Sequence, residues 1–325
     1  MRVLLTGAAG FIGFHVAKAL LARGDDVIGI DNLNDYYDVA LKQARLDQLL
    51  SQKNFSFHKI NIADKDKILP FAKSGITHIV HLAAQAGVRY SLQNPYAYVD
   101  SNLMGQVVML ELARATPGLK HFVYASSSSV YGGNTKIPFA ESDAVERPIS
   151  LYAATKRADE LMGYTYAHLF RIPMTGLRFF TVYGPWGRPD MAAYIFTSQI
   201  ISEKTIKVFN QGKMKRDFTY IDDIVSGVLA AIGKPPQDKG TEPPLALYNL
   251  GNSHAEDLMH FISVLERALG KKAVIDLQPM QPGDVPETFA DITSSTCDLG
   301  YKPETNIDVG VPKFVEWYKK YSKNA

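Results

Sequence analysis

Short apolar runs alternate with longer stretches of helical period through the first half of the chain. The runs at 3–6, 26–31, 55–62, 78–83, 121–126 and 175–180 are apolar at successive positions, the pattern of strands covered on both faces. The stretches between them, 10–23, 39–51, 65–73, 95–115 and 151–170, repeat their apolar positions every three to four residues and predict helices. Strand–helix alternation of this kind implies βαβ units, and therefore an α/β fold with a parallel, doubly wound sheet.

The rhythm changes after Gly184. Gly184-Pro185-Trp186-Gly187-Arg188-Pro189 is a turn-rich break. Shorter elements follow: a helix over 192–203, strands over 206–209 and 218–221, and a helix over 223–232. The Pro-, Gly- and Lys-rich stretch 233–244 reads as a loop, and a strand over 247–250, a helix over 256–269, a strand over 273–277 and a helix over 311–320 complete the chain. The expected organisation is a nucleotide-binding domain over 1–184 and a smaller C-terminal α/β lobe over 185–325 that binds substrate. At least one late segment is expected to return to the sheet, so that the two interleave.

Composition narrows the function classes. The chain has 325 residues, 46% hydrophobic and 21% charged, which fits one sizeable core plus a smaller lobe. Lys+Arg 35 against Asp+Glu 33 leaves a net charge of +2, without a basic surplus for nucleic acid or a basic block for a membrane surface. Met1 leads straight into an apolar strand, with no run of signal or transmembrane length, and the protein is expected to be cytoplasmic. The single cysteine, Cys297, fits a reducing compartment and is expected to be a partly buried, inert thiol. The histidines are too scattered for a ligand set, so no metal is expected.

The first strand runs into Gly7-Ala8-Ala9-Gly10-Phe11-Ile12-Gly13, which opens the first helix. The first glycine permits the tight turn, the second lets backbone approach a pyrophosphate at the helix N-terminus, and the third allows close helix–sheet packing. Asp31, followed by Asn32, ends the second strand, where a carboxylate can accept from an adenosine ribose and repel a 2′-phosphate. With no Arg beside Asn32, NAD is favoured over NADP. Asn61 and Ile62 are placed to flank adenine, and Leu82, Ala83 and Ala84 to pass the nicotinamide ribose. Farther on, Tyr152 and Lys156 lie four residues apart on one helix face. A nearby ammonium favours phenolate and so equips the tyrosine to act as a base near neutral pH. The run Ser126-Ser127-Ser128-Ser129 ends the preceding strand. Ser126 reads as a strand-end residue satisfying local backbone, and the other three as hydroxyls facing the same site.

These residues resemble the extended short-chain dehydrogenase/reductase superfamily, with its Rossmann-type fold, and within it the nucleotide-sugar epimerases. The resemblance covers nearly the whole chain. It rests further on Ser-Ser-Val130-Tyr131-Gly132, Arg178-Phe179-Phe180-Thr181-Val182-Tyr183-Gly184-Pro185 and Arg216-Asp217-Phe218-Thr219-Tyr220-Ile221-Asp222-Asp223. It extends to the UDP-glucuronate 4-epimerase branch through Gln85-Ala86-Gly87-Val88-Arg89-Tyr90-Ser91, Thr181 to Ala192, and Pro279-Met280-Gln281-Pro282-Gly283-Asp284-Val285. The resemblance implies C4 epimerisation of UDP-glucuronate to UDP-galacturonate through a 4-keto intermediate, with tightly held NAD. Tyr152 would take the 4-hydroxyl proton, Lys156 would bind the nicotinamide ribose, and Ser127 would hydrogen-bond the 4-oxygen. Ser128, Ser129 and Thr181 would receive the C6 carboxylate, since Thr181 stands where many neutral-sugar epimerases carry Asn. Holding that carboxylate out of line with the 4-keto group would slow decarboxylation, and fixed hydroxyl donors can do so without reorganising. Arg188 and Arg216 match positions near the diphosphate, Val208 and Phe209 a uracil sandwich, and Asp284 a ribose contact. Arg216 has a competing local reading as a partner of Asp217 or Asp222. Arg89 faces substrate or closes a loop over NAD, and Gln281 departs from the arginine of some sugar epimerases.

Rival activities are a UDP-glucose 4-epimerase, a UDP-glucuronate decarboxylase and, from another class, a non-catalytic NAD-binding regulator. The intact Ser127, Tyr152 and Lys156 set argues against the last. A dTDP-sugar 4,6-dehydratase would want Asp-Glu where Ser128-Ser129 stand. The family's homodimer, formed by two helices per subunit, is expected here, with Leu103, Val107, Leu110, Leu161, Met162 and Phe170 as candidate contacts.

Overall fold

The computed structural model describes residues 1–281 and 284–322, so Pro282 and Gly283 of the loop motif lie outside the described residues. Seven strands form one parallel sheet: β1 (Arg2–Thr6), β2 (Asp26–Asp31), β3 (Phe55–Lys59), β4 (His78–His81), β5 (His121–Ser127), β6 (Met174–Phe179) and a late strand, Leu245–Leu250. Their spatial order is Leu245–Leu250, β6, β5, β4, β1, β2, β3. The chain winds outward from β1 in both directions, so the crevice beyond the C-terminal ends of β1 and β4 is the switch point where ligands bind in such sheets.

Successive residues of each strand serve opposite faces. Val3, Leu5, Val80 and Val123 belong to one apolar cluster, with the helices Phe11–Ala22 and Ile221–Ile232. Leu4, Ile79, Phe122 and Tyr124 belong to the other, with the helix Gly105–Ala115. This double coverage explains why the strands read as unbroken apolar runs. Each fully buried aliphatic side chain contributes roughly 1.5–3 kcal/mol relative to exposure.

The expected strands over 55–62 and 78–83 end early, at Lys59 and His81. The second stops because its next residues turn toward β1: Leu82 N donates to the Thr6 carbonyl at 3.3 Å and Ala83 N to Thr6 Oγ1 at 3.1 Å. The expected helix over 95–115 contains a wide π-helical stretch, Val99–Met104. Glu256–Asp257, expected to begin a helix, is instead a short strand antiparallel to Lys215–Arg216. The Asn252 and Ser253 amides just before it donate to the buried Asp217 carboxylate, at 2.6 and 3.1 Å, and the helix starts at Leu258. Cys297 is exposed, not partly buried, because the short π-helical segment Ser295–Leu299 turns it outward while Ser295 and Leu299 go inward.

The helix Leu151–Phe170 packs beside Gly105–Ala115, and Tyr166 donates to Glu111 across them at 2.6 Å. Leu110 and Met162 face the chain's own core, but Val107, Leu161 and Phe170 are exposed beside Met104, Tyr164 and Leu169. No described helix is long and apolar enough to cross a membrane.

Candidate active site

One cleft of about 1000 Å³ runs along the C-terminal edge of the sheet and on between residues that follow Gly184, among them Arg188, Phe209, Arg216 and Asp284. Its floor begins at the glycine turn. Gly7 has φ +75°, and a Cβ there would stand 2.9 Å from Ala83 N; a Cβ on Gly13 would collide with the Gly7 carbonyl oxygen. The helix Phe11–Ala22 starts at Gly10 without a side-chain cap, so its first amides and its dipole are left for an anion in the cleft. Asp31 is fixed at the neighbouring strand end by two backbone donors, Ala9 N at 3.1 Å and Leu33 N at 2.9 Å. Gly7, Gly10, Phe11, Ile12, Gly13, Asp31, Asn32, Asn61, Ile62, Leu82, Ala83 and Ala84 all line this half of the cleft.

The far half holds the proton-handling groups. Ser127, Ser128, Ser129, Tyr152, Lys156 and Thr181 line the same cleft. Ser127 ends β5 in extended conformation and its hydroxyl turns back onto its own loop, donating to Ser129 Oγ at 3.1 Å and accepting from Ser129 N at 3.2 Å. The helix that carries Tyr152 begins at Ser150, whose side chain accepts from Ala153 N at 3.1 Å, so the tyrosine sits in its first turn at the cleft wall. Lys156 follows one turn later and is buried. Burial pulls its ammonium down, but Asp159 and the Tyr152 phenol outweigh that, and it is held above the ordinary lysine value. A phenol one helical turn from a charged lysine, in a cleft that serine and threonine hydroxyls also line, is a group able to remove and return the proton of a bound alcohol.

Ser126 does not satisfy backbone: its hydroxyl donates to the buried Glu160 carboxylate at 2.6 Å. Glu160 also accepts a bidentate pair of bonds from Arg178 at 2.8 and 2.9 Å, and Arg178 reaches Tyr131 Oη at 3.0 Å. This network ties β5, β6 and the tyrosine-bearing helix together behind the site. Asn102 ties the loop over the cleft to that helix, donating to the Gln85 carbonyl at 3.1 Å and to Thr155 Oγ1 at 2.9 Å.

The structure places the predicted residues after Gly184 unevenly. Phe209, Arg216 and Asp284 line the cleft; Val208 does not. It is fully buried in the core, because alternation along the strand Ile206–Val208 turns it away from the cleft that Phe209 reaches. A uracil sandwich therefore has Phe209 alone of that pair. The Arg89 guanidinium lies 4.6 Å over the Phe209 ring and bonds Asp284 at 3.0 Å, so it bridges the loop after β4 to both residues. Arg216 donates to the carbonyls of Lys215 and Pro286, not to Asp217 or Asp222. Arg188 lines the cleft while paired with Asp190 at 2.6 Å, and Asp190 also accepts from Tyr36 at 3.0 Å. Among the described residues no group of three or more His, Cys, Asp or Glu could hold a metal ion.

The family model that describes the NAD dependent epimerase/dehydratase family matches residues 3–251, from β1 through the late strand. The chain belongs to that family. A probable UDP-glucuronate 4-epimerase of Rhizobium meliloti is 46% identical, covering 100% of this chain and 99% of its own. UDP-glucuronate 4-epimerase 4 of Arabidopsis thaliana is 48% identical over 99% of this chain and 76% of its own. Among solved structures, the UDP-glucuronic acid 4-epimerase of Bacillus cereus in complex with UDP-glucuronic acid and NAD superposes with a TM-score of 0.91 at 33% identity, covering 99% of this chain and 100% of that one. The cradle described above fits a dinucleotide: three glycines where a Cβ would intrude, an uncapped helix start for the pyrophosphate, and Asp31 for a ribose.

Sequence reasoning missed Asn102, Asp159, Glu160 as a network centre, and the Tyr36–Asp190–Arg188 cluster. Asp159 and Glu160 had one available signal. They follow Lys156 at three and four residues, the spacing at which a helix presents carboxylates to a cation.

Proposed function

We propose that the protein interconverts UDP-glucuronate and UDP-galacturonate by inverting C4 through a 4-keto intermediate, with NAD as its resident cofactor. The observation that carries this reading is one continuous cleft. It joins the dinucleotide cradle to Tyr152, Lys156 and the hydroxyls of Ser127, Ser128, Ser129 and Thr181. Its similarity to UDP-glucuronate 4-epimerases over the full chain supports the same substrate.

Bound NAD would supply a hydride acceptor that later returns the hydride. Tyr152 takes the proton of the sugar 4-hydroxyl and gives it back after the ketone has presented its other face. Lys156 lowers the cost of the phenolate and binds the nicotinamide ribose. Ser127 holds the 4-oxygen. Ser128, Ser129 and Thr181 receive the carboxylate as neutral donors, which keeps it charged and out of line for loss of CO₂. Arg216 and Arg188 face the diphosphate, Phe209 stacks uracil, and Asp284 takes the uridine ribose, with Arg89 closing over base and ribose together.

The exposed apolar stripe of Met104, Val107, Leu161, Tyr164, Leu169 and Phe170 supports a homodimer through the two helices that carry it. A nucleotide-sugar substrate and a single exposed thiol fit a cytoplasmic place of action.

The test is incubation of the purified protein with UDP-glucuronate and, separately, UDP-glucose, with no NAD added. UDP-galacturonate from the first is expected. Conversion of the second alone would overturn the role given to Thr181 and the serines, and conversion of neither would overturn the activity.

A further inference from the structure

Tyr152, Lys156 and Asp159 follow one another at four- and three-residue spacing on one stripe of the helix Leu151–Phe170. Lys156 Nζ donates to Asp159 Oδ2 at 2.9 Å, with side-chain exposures of 4% and 2%. The second carboxylate oxygen, Oδ1, is buried without a hydrogen-bond partner. Asp159 therefore rests on a single bond, to the group that activates the tyrosine. A purely structural acid in such a place is normally satisfied at both oxygens, as Glu160 next to it is.

We propose that Asp159 is a positioning residue for the Tyr152–Lys156 pair: its carboxylate holds the Lys156 ammonium in place and sets how much of that positive charge acts on the Tyr152 phenol. The inference rests on the proton-handling role given to Tyr152 above. An ammonium favours phenolate, and a carboxylate in contact with that ammonium takes part of the effect back, because both charges act through the same weakly screened interior.

The other charged and titratable groups around the stripe leave this pairing to Asp159. On the same helix Arg157 bonds Glu160, and from β6 Arg178 does so as well, so Glu160 occupies both guanidiniums. From β5 the Tyr124 hydroxyl is buried and unpartnered. From β4 His81 is held neutral, its imidazole pushed down to about 3 by burial and then by Lys156. Tyr98 stands 6.1 Å from the Tyr152 ring and is itself held neutral by burial and its phenol neighbours. Burial also pushes the Asp159 carboxyl up to about 6, with Lys156 pulling it back only in part.

The test uses the NAD-loaded protein and Asp159→Asn, which keeps an acceptor for Lys156 and removes the charge. Two readouts are taken. One is the midpoint of Tyr152 ionisation by near-ultraviolet difference absorbance, with the signal of a Tyr152→Phe protein subtracted; it needs no turnover. The other is the acid limb of kcat with UDP-glucuronate. Removing the carboxylate is expected to lower both by about 0.5–1 pH unit, the order of one charge at partly buried range, while Asp159→Glu is expected to return them toward the parent. A folded Asp159→Asn protein with an unmoved phenol midpoint would overturn the proposal. If Asp159→Asn does not fold, Asp159→Ser is read in the same way. Absence of turnover with any UDP-sugar would sink the proposed function alone, since the phenol titration is still read.

Discussion

Glu160→Gln is the substitution whose cost the structure defines best. Glu160 and Arg178 are 0% and 1% exposed at the side chain and joined by two bonds in fork geometry. Burial alone would raise the Glu160 carboxyl. Its bonds from Arg178, Ser126 and Arg157 outweigh that and hold it below the ordinary glutamate value. Glutamine keeps the shape but leaves the Arg178 guanidinium without its buried counter-charge, at a cost of about 3–5 kcal/mol. A chain of 325 residues unfolds with an entropy of roughly 0.7 kcal/mol/K, at about 2.1 cal/mol/K per residue. The midpoint should therefore fall by roughly 4–7 °C. A folded pKa below the unfolded one means the contribution is present above the unfolded value and lost as pH falls through the folded one. The gap between parent and variant should thus hold at neutral pH and narrow below about pH 4. Calorimetric melts of both proteins across pH check this. A variant melting within about 1 °C of the parent at neutral pH would refute the reasoning.

Other expectations can be checked separately. Tyr152→Phe should lower kcat about 10²–10⁴-fold with NAD still bound on purification, as read from the released nucleotide. Gly13→Ala sets a Cβ against the Gly7 carbonyl and should weaken NAD binding at least about tenfold, or ~1.4 kcal/mol, by calorimetric titration. Ser128→Ala and Thr181→Ala should raise the UDP-pentose by-product relative to epimerised product on chromatography; an unchanged ratio removes their protective role. Leu161→Glu, on the exposed apolar stripe, should shift a dimer to monomer in sedimentation.

The parallel sheet was legible because both of its faces are covered, so each strand is a dense apolar run bounded by turns. The cradle was legible because its chemistry is local: Gly7, Gly10 and Gly13 lie within one turn and one helix start. The elements after Gly184 were harder. Lys215–Arg216, Glu256–Asp257 and Glu287–Thr288 are two residues each, too short to show any period. They pair over long separations, around the buried Asp217, which accepts from Thr219, Asn252, Ser253 and Ala290. Val208 was misread because an apolar pair on a strand does not declare which member faces inward. Asp159 was missed because a carboxylate three residues after a lysine reads as a solvated ion pair until both prove buried.

The late strand Leu245–Leu250 has a consequence for how the protein is made. It pairs with β6 along its whole length, and Asn249 then fastens it by donating to the carbonyls of Phe139 and Asp291 and accepting from Tyr131. Until the ribosome has delivered that segment, β6, a strand buried at every position in the finished fold, has one open edge, the kind of edge that recruits other chains. A nascent or truncated product ending near Gly184 would carry every residue of the glycine cradle and both Tyr152 and Lys156, yet present that edge to its neighbours. Expression of such a fragment should give aggregates, and adding residues through Leu250 should be the step at which the nascent chain becomes safe to release.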